Sequence, residues 1–493
     1  MIRRQPVGTF CLVLHTHLPW VAHNGTWPVG EEWLHQAFTG SWRRVLAVLE
    51  GLAEHGYRDV LTLGVTPVLA AMLDDPYCLS EIHGWTGRWQ LRAEELVGRP
   101  DLAELARWEF REAARCLADL EARWRTGGLS SVLRPLREAG VLEVLSGPAT
   151  HPFLPLLSER FAEAQLRTGL TDTALRLGRP VTGIWAPECG YAPGMAELYA
   201  RSGVSHFLLD GPAVHGDTGL AHPVAGTGVL AFARDLPLSE RIWSSRTGYP
   251  GAPSYRDFHS VDHGSGLRPH RVTGSAGKRV WQPAAAQAAV LRDARDFVSA
   301  VVARLGDVAE RLGRPGLAVA AFDTELFGHW WYEGPQFLDA VLRQLPQAGV
   351  RLTTLAGACE LGLVGDPIEP PASSWGAGKD WRIWNNEGVA VLNDELAEIQ
   401  KRLFVLRDDP RTAGPARRPE LDQLAREAML ASASDWAFMI SRDTAAEYGW
   451  QRARDHAARF HALADAIEDG APAAPARRLA DRLCRQDGPF GHL

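Results

Sequence analysis

The sequence predicts an α/β fold, a sheet or barrel of buried strands separated by helices, and three observations predict it. Short apolar runs recur along the first two thirds of the chain, helical periodicity fills several of the intervals, and polar or ionisable residues fall repeatedly just after the runs. The clearest case is Gly316 to Pro335, GLAVAAFDTELFGHWWYEGP, in which seven uncharged residues give way to Asp323, Glu325, His329, Trp330 and Trp331. A buried strand that ends in carboxylates, an imidazole and indoles delivers functional groups to the rim of such a fold, so Asp323 is the first candidate catalytic residue. The same stretch also suits a buried strand followed by a loop whose aromatics only pack.

Taken in order, residues 8–20 (GTFCLVLHTHLPW) read as a strand and a polar turn that set His15 and His17 on one face of extended chain. An HxH pair of this kind binds a metal, orients a substrate hydroxyl, or is a satisfied structural pair. Trp20, His23 and Trp27 follow in a Gly- and Pro-containing loop that reads as a pocket edge. Residues 31–54 have helical spacing and Gly56 stops them; 58–66 read as the next strand, which begins a βαβ unit. Residues 88–126 are charged and helical on both sides of Gly98 and Pro100, and read as an inserted hairpin closed by Gly127 and Gly128, either a solvated pair or a wall of the site. Further strands are expected at 141–155, 179–191, 205–210 and 228–235, with an irregular one at 279–283 and a helix over 284–312. These runs end near Ser146, Thr150 and His151, and near Trp185, Glu188 and Tyr191. Beyond Pro367 the texture changes to a Gly- and Trp-rich loop (373–386) and helices over 391–407, 419–440 and 443–469, with Pro472 and Pro475 in a terminal stretch.

Composition limits the function classes. The chain has 493 residues, 46% hydrophobic and 23% charged, which suits one large barrel with additions or two to three globular domains. A formal net charge of -7 without a long basic block disfavours nucleic acid and anionic membrane as partners and suits a neutral substrate. The six cysteines are scattered without CxxC, as in a reducing cytoplasm, and no apolar run reaches the length of a membrane span. Eighteen tryptophans against eight tyrosines suit sugar-ring stacking as well as ordinary packing.

Two carboxylates, Glu188 and Asp323, each follow a buried run and each stand near tryptophans. Glycoside hydrolysis or transfer needs such a pair, one to attack the anomeric carbon and one to protonate the departing oxygen, roughly 5 to 5.5 Å apart on the retaining route. HTHLPW (15–20), SGPATH (146–151), GIWAPECGY (183–191), FDTELFGHWW (322–331) and SSWGAGKDW (373–381) resemble, in order, the five signature regions of glycoside hydrolase family 57. The resemblance is closest to the α-1,4-glucan branching members, through ELFGHWWYEGP and the SDW at 434–436.

That resemblance implies a (β/α)7 barrel over 1–87 and 129–366, an inserted helical hairpin over 88–128, a C-terminal helical domain over 367–493, and a retaining mechanism without cofactor or metal. Residue by residue it implies Glu188 as nucleophile, Asp323 as general acid/base, and His15, His17 and His151 around the bond being cut. It makes Trp27, Trp185, Trp330, Trp331 and Trp375 candidates for stacking or for walling the pocket, and Arg234, Gly248, His329 and Asp435 candidate substrate contacts. Branching members carry a mobile loop with a tyrosine after the strand corresponding to 205–210; here Asp210 to Leu230 holds no Tyr, with His215 its one bulky polar candidate, and Thr444 stands where they have Gln. Three expectations follow: cleavage of α-1,4 and formation of α-1,6 glucosidic bonds in an α-glucan; hydrolysis or α-1,4 to α-1,4 transfer on the same fold; and, from spacing alone, a metal-dependent hydrolase using His15 and His17.

Overall fold

The computed structural model describes residues 6–26, 28–244, 246–273, 277–410, 418–469 and 474–491. Trp27 lies outside them. Nine strands occur there: β1 Gly8–Thr16, β2 Leu61–Val65, β3 Leu142–Leu145, β4 Gly183–Ile184, β5 His206–Asp210, β6 His222–Pro223, β7 Leu230–Arg234, β8 Leu317–Asp323 and β9 Val350–Leu352. All nine residues of β1 are buried, because this strand has neighbours on both sides and apolar layers on both faces. It pairs in parallel with β2 (Val13↔Thr62) and along its length with β8, from Thr9↔Leu317 to His15↔Asp323. β2 pairs with β3, β4 with β5, and β5 with β7, all parallel.

Backbone bonds close the two sheets into one ring. Ser146 N donates to Gly183 O (3.1 Å) and Trp185 N to Ser146 O (2.8 Å), which joins the end of β3 to β4; Asp235 N donates to Val319 O (2.7 Å), which brings β7 onto β8. Seven parallel strands (β1, β2, β3, β4, β5, β7, β8) thus form a (β/α)7 barrel, with β6 antiparallel beside β7 and β9 beside the start of β1. Parallel strands send all their C-terminal ends to one rim, so His15, Ser146, Asp210, Arg234 and Asp323 are brought together there by topology alone.

Several elements differ from the sequence reading. The strand over 179–191 shrinks to Gly183–Ile184, because Pro187 and the left-handed Glu188 and Cys189 (φ 60 and 50) cannot continue a ladder. Val280 makes only an isolated bridge to His270, so 279–283 is not a strand, and a helix begins at Pro283. The helical stretch read from residue 88 begins earlier, with helices Pro76–Leu96, opened by an Asp75 cap, and Ala103–Asp119. Gly127 and Gly128 do not close it but kink into a further helix, Arg125–Glu138. The stretch 419–440 forms two helices, Pro419–Ala431 and Ser434–Arg442, because Ala433 is extended and Ser434 N donates to His151 O (3.0 Å). A last helix, Ala474–Gln486, takes Pro475 into its first turn, where a missing N–H costs nothing.

One contact positions the loop after β8. In the first helical stretch Glu31–Ala37 is followed by a π-turn, Phe38–Trp42, before Arg43–Glu54. The bulge turns Ser41 and Trp42 inward, so that Ser41 Oγ donates to Thr324 O (2.7 Å) and Trp42 Nε1 donates to Glu325. Gly328 (φ 112) lets the loop lie against Gly40; a Cβ there would sit 2.1 Å from the Gly40 carbonyl oxygen. Gly328→Ala is therefore expected to lower unfolding stability by about 2–4 kcal/mol, from left-handed strain plus the clash; an unchanged denaturant midpoint would contradict this contact.

Candidate active site

Glu188 stands just past β4 with φ 60 and ψ 17, and Cys189 after it is left-handed too. Such backbone costs about 1–2 kcal/mol per residue and persists only when neighbours hold it. The loop of residues 373–381 is the clamp: Trp375 N donates to Glu188 O (2.8 Å), and Tyr191 and Ser373 exchange a backbone pair (3.0 Å each). The same loop supplies Trp375 Nε1, which donates to Glu188 Oε2 (2.8 Å). Ser434, at the start of helix Ser434–Arg442, donates its hydroxyl to Glu188 Oε1 (3.0 Å).

Asp323 ends β8 opposite His15 in the β1 register. Its carboxyl receives no hydrogen bond among the described residues. Burial, reinforced by the Glu188 charge and opposed by Arg234 and His17, pushes it up to about 7. Glu188 is likewise pushed up to about 7, by burial and by Asp435, against the donors Trp375 and Ser434. The structure thus brings the two carboxylates into mutual electrostatic reach and gives them opposite surroundings, two donors on one and none on the other.

The histidines form a stack beside them. His17 and His151 lie 3.8 Å apart, His15 and His151 5.0 Å, and His15 lies flat on Trp185 at 4.3 Å. His17 bonds Thr66 Oγ1 through Nδ1 and Asp435 Oδ2 through Nε2, both at 2.9 Å. Ligand atoms of His17, His151 and Asp435 come within 4.8 Å of one another, a spacing that could hold a metal ion, and within the trio His17 and Asp435 are hydrogen-bonded directly. Spacing pairs His15 with His17, but the ligand atoms that converge are those of His17, His151 and Asp435.

Other candidates separate by exposure. Glu188, Asp323, His17 and Asp435 keep partial exposure, whereas His15, His151 and Trp185 are buried and form the wall behind them. Arg234 binds Asp210 (2.9 Å) and stands 5.3 Å above the Trp375 ring, and Lys379 Nζ takes the other Asp210 oxygen (2.7 Å). Trp331 is corrected to a core residue: it is 1% exposed, between Phe337, Tyr255 and Phe327, and offers no face to a sugar. His329 packs edge-on against Phe258 (5.1 Å) and beside Trp330 (6.1 Å). Trp330 is 38% exposed and meets Trp243, 48% exposed, edge-on at 6.2 Å, an outer aromatic pair. Gly248 lies in the turn after helix Leu236–Trp243, its N–H on Ser244 O (2.8 Å) and its α-carbon facing the Ile242 carbonyl.

Thr66, Lys379, Ser434 and Glu325 complete this site without having been assigned a role in it from the sequence, although Glu325 follows the 316–322 run and Lys379 and Ser434 fall within SSWGAGKDW and SDW. Glu325 sits two residues past Asp323 and is 7% exposed, and burial with the Asp323 charge pushes its carboxyl up to about 8 despite donation from Trp42 and from His17 N.

Comparison with known proteins places this geometry. The family model described as glycosyl hydrolase family 57 matches residues 11–361, and the one described as 1,4-alpha-glucan branching enzyme, C-terminal, matches residues 395–493. A probable 1,4-alpha-glucan branching enzyme of Mycobacterium tuberculosis is 49% identical over 512 residues, 99% of this chain and 97% of that one. The crystal structure of a GH57-type branching enzyme from Pyrococcus horikoshii superposes with a TM-score of 0.92 at 31% identity, over 98% of this chain and 95% of that one. The alpha-amylase AmyC of Thermotoga maritima superposes with a TM-score of 0.84 at 27% identity, over 98% and 97%.

A carboxyl raised in the folded chain contributes stability that is complete below its unfolded value and is lost as pH rises through its folded one. For Glu325 that window runs from the usual 4.5 to about 8. Glu325→Gln keeps an acceptor for Trp42 and the His17 N–H, so it is expected to gain on the order of 2 kcal/mol above pH 8 and to change little at pH 4. Parallel stability curves for the two proteins across that window would refute the assignment.

Proposed function

The chain belongs to glycosyl hydrolase family 57, and from that membership we propose that it is a retaining α-glucan branching enzyme, which cleaves an α-1,4 bond and remakes the link as α-1,6. The observation that carries the retaining chemistry is the contrast between its two carboxyls. Glu188 accepts two neutral donors, which favour its charged form, while Asp323 has none and feels the Glu188 charge. One proton shared by the pair therefore sits on Asp323.

In that state Glu188 attacks the anomeric carbon and Asp323 gives its proton to the departing 4-oxygen, which leaves a glycosyl ester on Glu188 and a free chain end. Asp323, now charged, takes the proton of the incoming hydroxyl as that oxygen displaces Glu188 from the same carbon, so two inversions restore the α configuration. Asp435, held by His17, has a second carboxylate oxygen to offer a glucose bound beside Glu188, and Trp375 an indole edge. A 6-hydroxyl as acceptor makes the branch; water makes a reducing end. The match of residues 395–493 to the C-terminal part of branching enzymes supports the first outcome.

A specific feature favours a second reading, hydrolysis or α-1,4 transfer on the same machinery. The segment between β5 and β7 is tied down by Ala221 N to Leu363 O, Ala225 N to Ile368 O and Ile368 N to Pro223 O (2.9 Å each), with His215 exposed at φ 53 and no tyrosine. Exclusion of water from the glycosyl ester then falls to other parts of the rim. The metal-dependent reading predicts loss of activity on exhaustive chelation. The cytoplasm and the making of a glycogen-like polymer complete the proposal; all six cysteines are free thiols, and no helix among the described residues is long and apolar enough to cross a membrane.

Amylose treated with the purified protein is expected to gain α-1,6 linkages and lose iodine colour with few new reducing ends. Reducing ends that rise without α-1,6 linkages would select the hydrolytic reading. Glu188→Gln is expected to abolish turnover while leaving glucan binding nearly intact. Because both carboxyls sit at about 7, kcat/KM should follow a bell centred near neutral pH, with Glu188 protonation on the acid side and Asp323 ionisation on the alkaline side. Asp323→Asn should remove the alkaline limb, slow cleavage of amylose roughly 10²–10⁴-fold, and spare glycosides with activated leaving groups.

A further inference from the structure

Two donors reach Glu188, and the one from the helical region continues into a longer chain. The Ser434 hydroxyl lies 3.0 Å from Glu188 Oε1 and 3.0 Å from His151 Nδ1, and His151 Nε2 lies 3.0 Å from His15 Nε2. Ser434, His151 and His15 are all buried. An ionised carboxylate only accepts, so the single hydroxyl proton of Ser434 goes to Glu188, and Ser434 must accept from His151. That puts a proton on His151 Nδ1. Burial holds both imidazoles well below their usual range, so each carries one proton and His151 Nε2 is a lone pair that His15 Nε2–H fills. His15 Nδ1 must then be bare. It is a buried ring nitrogen without a hydrogen-bond partner among the described residues, turned toward Gly64, as the first atom of such a chain has to be.

We propose that Ser434 is a positioning residue for Glu188, a hydroxyl delivered from outside the barrel whose direction is locked by His151 and His15 so that it keeps the nucleophilic carboxylate charged and aimed. The inference rests on the reading of Glu188 as nucleophile. A purely structural role is already filled without the hydroxyl, because Ser434 N donates to His151 O (3.0 Å) and Asp435 holds His17 (2.9 Å). The groups around Glu188 make the donor matter. Asp435 presses it toward the neutral form, Asp323 lies within reach of its charge, and Cys189 is its chain neighbour. Trp375 donates from the opposite side, while Arg234 and Lys379 are spent on Asp210. No cation pairs directly with Glu188 among the described residues, so loss of the Ser434 donor has no ready substitute.

The test is the pH dependence of kcat/KM on amylose for the full-length protein. Removing a donor from the charged form raises a carboxyl's pKa, so Ser434→Ala should move the acid limb upward by about one pH unit. On that limb kcat/KM should fall roughly 10- to 100-fold, with KM nearly unchanged, as for loss of a hydrogen bond to a charged group. Ser434→Thr, which keeps the hydroxyl, should restore both rate and limb. Should the alanine variant not fold, Ser434→Cys preserves the volume with a weak donor and should shift the limb the same way. A folded alanine or cysteine variant with the wild-type acid limb overturns the inference while Glu188→Gln remains inactive. An active Glu188→Gln overturns the nucleophile reading beneath it.

Discussion

At the barrel rim a helix beginning at residue 434 presses its first two side chains against two stacked imidazoles supplied by the barrel. Ser434 meets His151 and Asp435 meets His17, at 3.0 and 2.9 Å. A buried polar group left without its partner costs about 1–3 kcal/mol, so neither side of this contact is stable alone in the geometry seen. From it follow the break between helices Pro419–Ala431 and Ser434–Arg442, the fixed ring of His17, and a site floor made jointly by barrel and helical region. Farther out the same two parts are tied again, where Trp20 Nε1 donates to Gln486 O (3.1 Å) and Arg452 to Asn24 (2.6 Å).

The floor holds three carboxyls, Glu188, Asp323 and Glu325, without a salt bridge to any of them among the described residues. The nearby cations are engaged elsewhere: Arg234 and Lys379 both bind Asp210. Burial of unpaired acids drives them toward their neutral forms, and that is what brings Glu188 and Asp323 to about 7 and Glu325 to about 8. Neutral donors then decide between them. A group that accepts from an indole and a hydroxyl gives up its proton first, and its neighbour without donors keeps one; two chemically similar acids differ in protonation because of their surroundings.

Much of the barrel was legible because its strands are buried on both faces and so carry uninterrupted apolar runs. β1 and β8 read in this way almost residue for residue, and the polar group at the end of each run marked the rim. Where local sequence misled, a tertiary contact had overridden propensity. Residues 419–440 have the composition of one helix, yet His151 O captures Ser434 N and splits it. GIWAPECGY reads as a strand, yet its last residues are bent through left-handed angles by the 373–375 loop. The tryptophans show the limit most plainly: Trp330 and Trp331 are adjacent, one at the surface beside Trp243 and the other inside the core, a difference set by which face of the loop meets Phe337.

The order of residues determined by itself which side chains stand at strand ends, because parallel strands of a barrel all deliver their C-termini to one rim. That suffices to bring His15, Glu188 and Asp323 into one neighbourhood and to suggest their chemistry. It does not decide how each is charged or aimed. Those properties depend on hydrogen bonds between positions as far apart as 188, 375 and 434, and on how much water each carboxyl loses, and both exist only once the helical region has closed over the barrel.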